Sequence, residues 1–529
     1  MIGMDETYRR LCERQKRTAV LSSVGAVLHW DQETNMPKAA AAHRAEQSAL
    51  LAGLTHDWAT DPEVGRLLSE LEDGGIAQEL REKTGGDGAH RSASGAPAPR
   101  EDELSDAAVN VREWRRGYDR ATKVPRELVE EIARTQTLAH EAWVTARAQK
   151  DFAQFRPWLE KIVDLERRVA DCIGYAEEAY DALLDAYEPG MTARQVAPVL
   201  GRLREQLAPL VRAIAGAPRR PDVSILHREY PVAAQEAFAR EVAAAIGFDF
   251  ARGRLDVVAH PFCTELGPCD VRITTRYDER FFSGAFFGVI HEAGHGIYEQ
   301  NLPAAHWGTP LAASVSLGIH ESQSRLWENF VGRSRAFWEY WFPRAQQRFT
   351  ALAGVRLDDF VFAINAVQPS FIRVEADEAT YNLHILLRFE LERALIRGEL
   401  KAADLPAAWN ENFEKLLGLK VPDDAMGCLQ DVHWSGGLIG YFPTYALGNL
   451  NAAQLMEAAR AELGDVDAML RAGEFAPLRE WLTRRIHCHG MRYRSARLIE
   501  VVTGRPLDEG ALLRHLNGKF GELYGLSRD

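Results

Sequence analysis

Phe286-Phe287-Gly288-Val289-Ile290-His291-Glu292-Ala293-Gly294-His295-Gly296-Ile297-Tyr298 is the stretch from which the rest of the chain can be read. Its apolar residues at 286, 289, 290, 293 and 297 recur at helical spacing, so the run predicts a buried helix. His291 and His295 then fall at i and i+4 on one face, where both imidazoles can reach one metal ion. Glu292 lies one step further round, beside the ion rather than on it, where a carboxylate can take a proton from the attacking water. A helix with two surface histidines has the same five letters, so the surroundings must decide between the two readings.

The whole chain permits a large core. It has 529 residues, 46% hydrophobic and 26% charged, the composition of a globular protein rather than a disordered one. A formal net charge of −13 argues against a nucleic-acid partner, since phosphate backbones are met by basic surfaces. The N-terminus lacks a charged-then-apolar leader, and no run of eighteen apolar residues occurs, so the expectation is a cytoplasmic protein with no membrane partner. Six scattered cysteines without paired spacing read as free thiols. In His487-Cys488-His489 the side chains diverge if the segment is helical, which disfavours a second metal site.

Residues 4–27 and 39–54 read as helices, with 28–37 as the connection between them. Residues 85–100 are dominated by Gly, Ser, Ala and Pro and read as a surface loop without a core. Helical patterns fill 104–215. The texture changes at 253–262 and 269–277, where β-branched residues alternate with polar ones, predicting a small antiparallel sheet next to the motif helix. An edge strand there could hold an extended peptide. The expected organisation is one domain over 1–529, with 1–220 as helical scaffold and groove wall and 221–529 as the catalytic portion.

A catalytic zinc takes three protein ligands and keeps one position for water. Residues 312–331 read as a following helix carrying His320-Glu321-Ser322-Gln323-Ser324, and Glu321 is the first choice for the third ligand, with Glu328 and His320 as competitors. With these two stretches in place, the chain resembles the carboxypeptidase Taq family of metallocarboxypeptidases. The resemblance extends to Trp30-Asp31-Gln32, His260-Pro261-Phe262, Asp270-Val271-Arg272-Ile273-Thr274, Ile372-Arg373-Val374-Glu375-Ala376-Asp377 and Gly427-Cys428-Leu429-Gln430-Asp431-Val432-His433-Trp434.

The resemblance implies a mainly helical fold with a deep groove, zinc at its base with cobalt as the alternative, one ion per chain, and a homodimer. It implies removal of single residues from peptide C-termini with broad preference. It carries over His291, His295 and Glu321 as metal ligands and Glu292 as general base. Chemical need suggests the other groups. A free α-carboxylate calls for a bidentate arginine, for which Arg373 is the first choice and Arg272 the second. A developing oxyanion calls for donors, and the glycine-rich stretch 433–445 offers His433 and Tyr445, with Tyr441 as the alternate toward substrate. Arg325, not an acid, stands four residues after Glu321, which leaves the partners of the ligand histidines to Asp270, Glu375 or Asp377. A zinc endo-oligopeptidase or dipeptidase shares the motif without a carboxylate clamp. A non-enzymatic helical interaction protein needs no Glu292.

Overall fold

The computed structural model describes residues 2–84, 101–258 and 261–526. The stretch 85–100, expected to be a loop, lies outside them, as does His260. Helices make up most of what is described, and one three-stranded sheet sits beside the motif helix.

That helix spans Phe282–Asn301, and its apolar face is buried as the spacing predicts: Phe282, Phe286, Val289, Ile290, Ala293 and Ile297 all belong to the main core. Phe286 stacks on Phe238 with centroids 5.4 Å apart and meets Trp338 at 5.1 Å. Each large side chain among them contributes about 1.5–3 kcal/mol by leaving water, so the face that bears His291 and His295 is carried on a firmly anchored helix. A second, smaller core under the N-terminal helices gathers Leu11, Val64, Leu67, Leu71 and Val109.

The first helix, Ile2–Thr34, runs through the segment expected to connect. Tertiary contacts extend it. Trp30 is buried beneath the guanidinium groups of Arg254 and Arg272, at 5.1 and 4.1 Å from its ring centre, and Asp31 pairs with Arg44 at 2.6 Å. The turn comes only at Asn35 and Met36, whose N–H groups donate back to Asp31.

The sheet is three-stranded but mixed, not antiparallel throughout. Its strands are β1 (Gly253–Val257), β2 (Cys263–Gly267) and β3 (Asp270–Thr275), in the order β1-β3-β2. β2 and β3 form the expected antiparallel pair, whereas β1 runs parallel to β3. Val258 N–H donates to the Thr275 carbonyl and Thr274 N–H to the Phe262 carbonyl, so β3 is bonded on both sides and lies in the middle.

The helix carrying Glu321 is shorter than expected, Leu317–Arg325, and continues as a wider π-helical turn, Leu326–Gly332. Ser316 caps its start by accepting from Ile319 N–H at 3.1 Å. The buried carboxylate of Glu188 accepts from Gly318 N–H and from Ser495 Oγ, fixing the same end. Two glycines bring three helices together around Glu321. A Cβ on Gly294 would lie 2.6 Å from Ser324 Cα, and one on Gly448 would lie 2.6 Å from Glu321 Cβ, so neither position has room for a side chain.

Candidate active site

His291 and His295 project from one face of the motif helix, ring centroids 4.9 Å apart. Glu321 Oε2 lies 3.5 Å from His291 Nε2 and 3.3 Å from His295 Nε2, and the three donor atoms fall within 4.8 Å of one another. The other ring nitrogens are occupied. His291 Nδ1–H donates to Glu328 Oε2 at 2.9 Å. His295 Nδ1 meets His320 Nδ1, and His320 Nε2 lies 2.7 Å from Glu299 Oε1. With Glu299 accepting from His320 Nε2–H, His320 Nδ1 is left to accept from His295 Nδ1–H. Both histidines of the triad thus keep their protons on Nδ1 and turn an Nε2 lone pair toward Glu321. Two neutral imidazoles and one carboxylate in that arrangement fit a divalent cation.

The electrostatics of the two rings differ: burial lowers His291, but Glu321 and the bond to Glu328 outweigh it and raise its pKa above the ordinary imidazole value, so a cation bound there must displace a proton from that ring. Burial, with His320 beside it, holds His295 down to about 3, so its imidazole is in the ligating form. Glu321 stays well below the ordinary carboxylate range: burial opposes this, but Arg325 and the two histidines outweigh it. Arg325 Nε donates to Glu321 Oε1 at 2.6 Å, leaving Oε2 toward the histidines. Glu328 is likewise held ionised against burial by Arg325 and Arg333, each 3.2 Å away.

Glu292 is only 7% exposed, and burial pushes its carboxyl up to about 7, with His291 partly offsetting the rise. No hydrogen bond to a described residue occupies it. An unpartnered carboxyl titrating there suits proton transfer at neutral pH.

Arg373 is buried. Its Nε and Nη2 donate to Asp431 Oδ1 at 3.0 and 2.9 Å, and its Nη1 to Tyr381 OH at 2.9 Å. Asp431 also accepts from Arg388 Nε at 2.6 Å, so two guanidinium groups share one carboxylate and one positive charge remains in excess. Arg373 lies 5.0 Å from the centre of the Tyr445 ring. His433 Nε2 is 3.4 Å from Tyr445 OH, and Tyr441 packs against Tyr445 with centroids 5.3 Å apart. Burial holds His433 down to about 4 and keeps Tyr445 well above 10, so both are neutral hydrogen-bond donors. Their loop is fastened from behind by Glu392, which accepts from Trp434 Nε1, Tyr180 OH and Gly440 N–H at 2.8, 2.8 and 3.1 Å.

The structure therefore brings His291, His295 and Glu321 together with Glu292 beside them, and gathers His433, Tyr441, Tyr445 and Arg373 into a neighbouring cluster whose two tyrosines lie close enough to feel the Glu321 charge. Arg272 is engaged elsewhere: its guanidinium donates to Asp270 at 2.7 and 2.8 Å and stacks over Trp30. The partner of His291 is Glu328, not Asp270, Glu375 or Asp377. Asp377 instead caps a turn, accepting from Ala379 and Thr380 N–H at 3.0 Å each. Sequence reasoning also missed the His320–Glu299 pair and the shared Asp431. Glu328 stands seven residues after Glu321, a spacing that could have placed both on one helical face.

Residues 10–520 match the family described as carboxypeptidase Taq (M32) metallopeptidase. The chain is 49% identical to thermostable carboxypeptidase 1 of Thermus thermophilus, over 98% of this chain and 99% of that one. It is 39% identical to carboxypeptidase 1 of Bacillus subtilis, over 96% and 97%. Its fold superposes on the crystal structure of the M32 carboxypeptidase from Deinococcus radiodurans with a TM-score of 0.90 at 41% identity, covering 98% of this chain and all of that one.

Proposed function

The chain belongs to the carboxypeptidase Taq (M32) family of metallopeptidases, and on that premise we propose that His291, His295 and Glu321 hold its metal ion and that Glu292 is its general base. The protein is a metal-dependent carboxypeptidase. The observation that carries the residue assignment is the pair of Nε2 atoms facing Glu321 Oε2 while both Nδ1 atoms are bonded elsewhere. We read the ion as zinc, with cobalt as the alternative, because two imidazoles and a carboxylate are the donors of a three-ligand catalytic site. Bound there, such an ion supplies a Lewis acid toward water and the scissile carbonyl.

The protein's own groups do the rest. Glu292 accepts the proton of the attacking water and passes it to the leaving amine nitrogen. Tyr445 and His433 donate to the carbonyl oxygen as its charge grows, a contribution on the order of 3 kcal/mol for one well-placed donor. Arg373 meets the substrate's terminal carboxylate with the charge that Asp431 leaves uncompensated, and Tyr441 closes the side of that pocket. Anchoring the terminus fixes which bond reaches the reacting groups. Arg272 is read as tying the sheet to the first helix.

Broad preference for the released residue, a homodimer, a single domain and a cytoplasmic location complete the reading. Among the described residues no helix is long and apolar enough to cross a membrane. Light scattering at the 59.2 kDa of one chain would remove the dimer. For the activity, the test is a peptide against its C-terminally amidated twin: the free acid should be cut and the amide spared, and equal cleavage would exclude the proposed clamp.

A further inference from the structure

Tyr381 touches both halves of the site without belonging to either. It opens the helix Tyr381–Arg397, is buried, and is fixed at its backbone, where its N–H donates to the Asp377 carbonyl at 2.9 Å. Its hydroxyl accepts from Arg373 Nη1 at 2.9 Å. Asp431 takes Nε and Nη2 of the same guanidinium, so the tyrosine is the one hydrogen-bond partner of Nη1 among the described residues. The face of the Tyr381 ring carries a second guanidinium, that of Arg325, 4.4 Å from its centre. Arg325 Nε donates in turn to Glu321 Oε1 at 2.6 Å.

One phenol thus spans from the arginine read as the anchor of the substrate carboxylate to the arginine that orients a metal ligand. A tyrosine side chain has only two torsions, and here its hydroxyl and its ring face are both engaged, so it can hold a distance that two long arginines cannot hold by themselves. The edge of the Tyr445 ring closes the third side, at 6.1 Å between centroids and 89° between planes. Both guanidinium groups are largely out of water, where a cation over a ring and a hydrogen bond from a charged donor are stronger than at the surface. Cutting only the terminal bond needs a fixed separation between the carboxylate anchor and the reacting groups.

We infer that Tyr381 is a positioning residue that fixes the separation between the terminal-carboxylate anchor and the metal ligand Glu321. Its hydroxyl aims Arg373, and its ring face seats Arg325. The inference rests on the clamp and metal readings above. The two ends can be cut separately. Tyr381→Phe keeps the ring under Arg325 and removes only the bond to Arg373, which retains both of its bonds to Asp431. Tyr381→Leu removes the ring face as well.

For free-carboxylate peptides, KM of Tyr381→Phe should rise roughly tenfold while kcat moves much less, and its metal Kd, measured by competition with a chelator, should match wild type. Tyr381→Leu should show the same rise in KM together with a metal Kd roughly tenfold weaker. An unchanged KM in Tyr381→Phe overturns the inference, and does so even if Tyr381→Leu fails to fold. So does a folded Tyr381→Leu with the wild-type Kd, because the ring face would then seat nothing. A Tyr381→Phe that melts lower and loses metal, free-carboxylate peptides and amidated peptides alike overturns it too, since the ring would be a structural support without separable ends. Equal cleavage of free and amidated peptides by wild type overturns the clamp reading, and this inference with it.

Discussion

Glu328 Oε2 stands 2.9 Å from His291 Nδ1, and the other nitrogen of the same ring faces Glu321. Arg325 and Arg333 hold that carboxylate in place, so the imidazole is oriented by a group that is itself fixed. Such a partner sets both the tautomer and the direction of a ligand lone pair. Glu328→Gln keeps the shape and removes the charge. It should weaken metal binding about 10- to 100-fold, read as Kd by competition with a chelator. An unchanged Kd would mean that Glu328 serves only the two arginines.

Arg373→Ala should raise KM for free-carboxylate peptides by a factor on the order of 10–100 while leaving the slow cleavage of amidated analogues unchanged. Asp431 keeps Arg388 as a partner in this variant, which limits the damage to the fold. If both substrate classes lose activity equally, Arg373 is a support for the Tyr381 and Tyr445 rings and not a clamp.

Gly448→Ala tests how closely the Glu321 helix is packed. With Glu321 Cβ only 2.6 Å from the added carbon, one of the two helices must shift. A loss of about 1–3 kcal/mol in unfolding free energy is expected, together with weaker metal binding. A variant with wild-type Kd would show that the packing can relax without moving the ligand.

Glu378 lies buried between Lys519 and His515, at 2.6 and 2.8 Å. Burial opposes ionisation, but the Lys519 ammonium and the hydrogen bond from His515 hold the carboxyl down to about 2, against an ordinary value of 4.5. A folded-state value depressed in this way gives stability that is complete above about pH 4.5 and is lost as pH falls toward 2. Glu378→Gln should therefore be less stable than wild type at neutral pH, by up to about 3 kcal/mol, and the difference should shrink through that window. Parallel pH curves for the two proteins would contradict this.

How far the sequence could be read depends on the range over which each interaction acts. The motif helix was legible because one segment carries both the helical apolar spacing and the i, i+4 histidines. Glu321 needed the resemblance, because surface glutamates at similar spacing are common. The width of the turn after Arg325 is not written in local periodicity, so Glu328 was weighed as a ligand and not as the partner of one. Alternation predicted strands but not their partners, hence the parallel β1–β3 pairing came only with the coordinates. Arg373 reads as a free cation until Asp431 and Arg388 arrive from other elements, and Arg272 until Trp30 comes over from the first helix.

The central claim is that Glu292 moves the proton while His291, His295 and Glu321 hold the metal. The most direct measurement is the metal content and single-turnover rate of Glu292→Gln on a free-carboxylate peptide. One ion per chain, bound as tightly as in wild type, with hydrolysis slowed by at least about 100-fold, is the predicted result. Hydrolysis at the wild-type rate with the metal in place would contradict it.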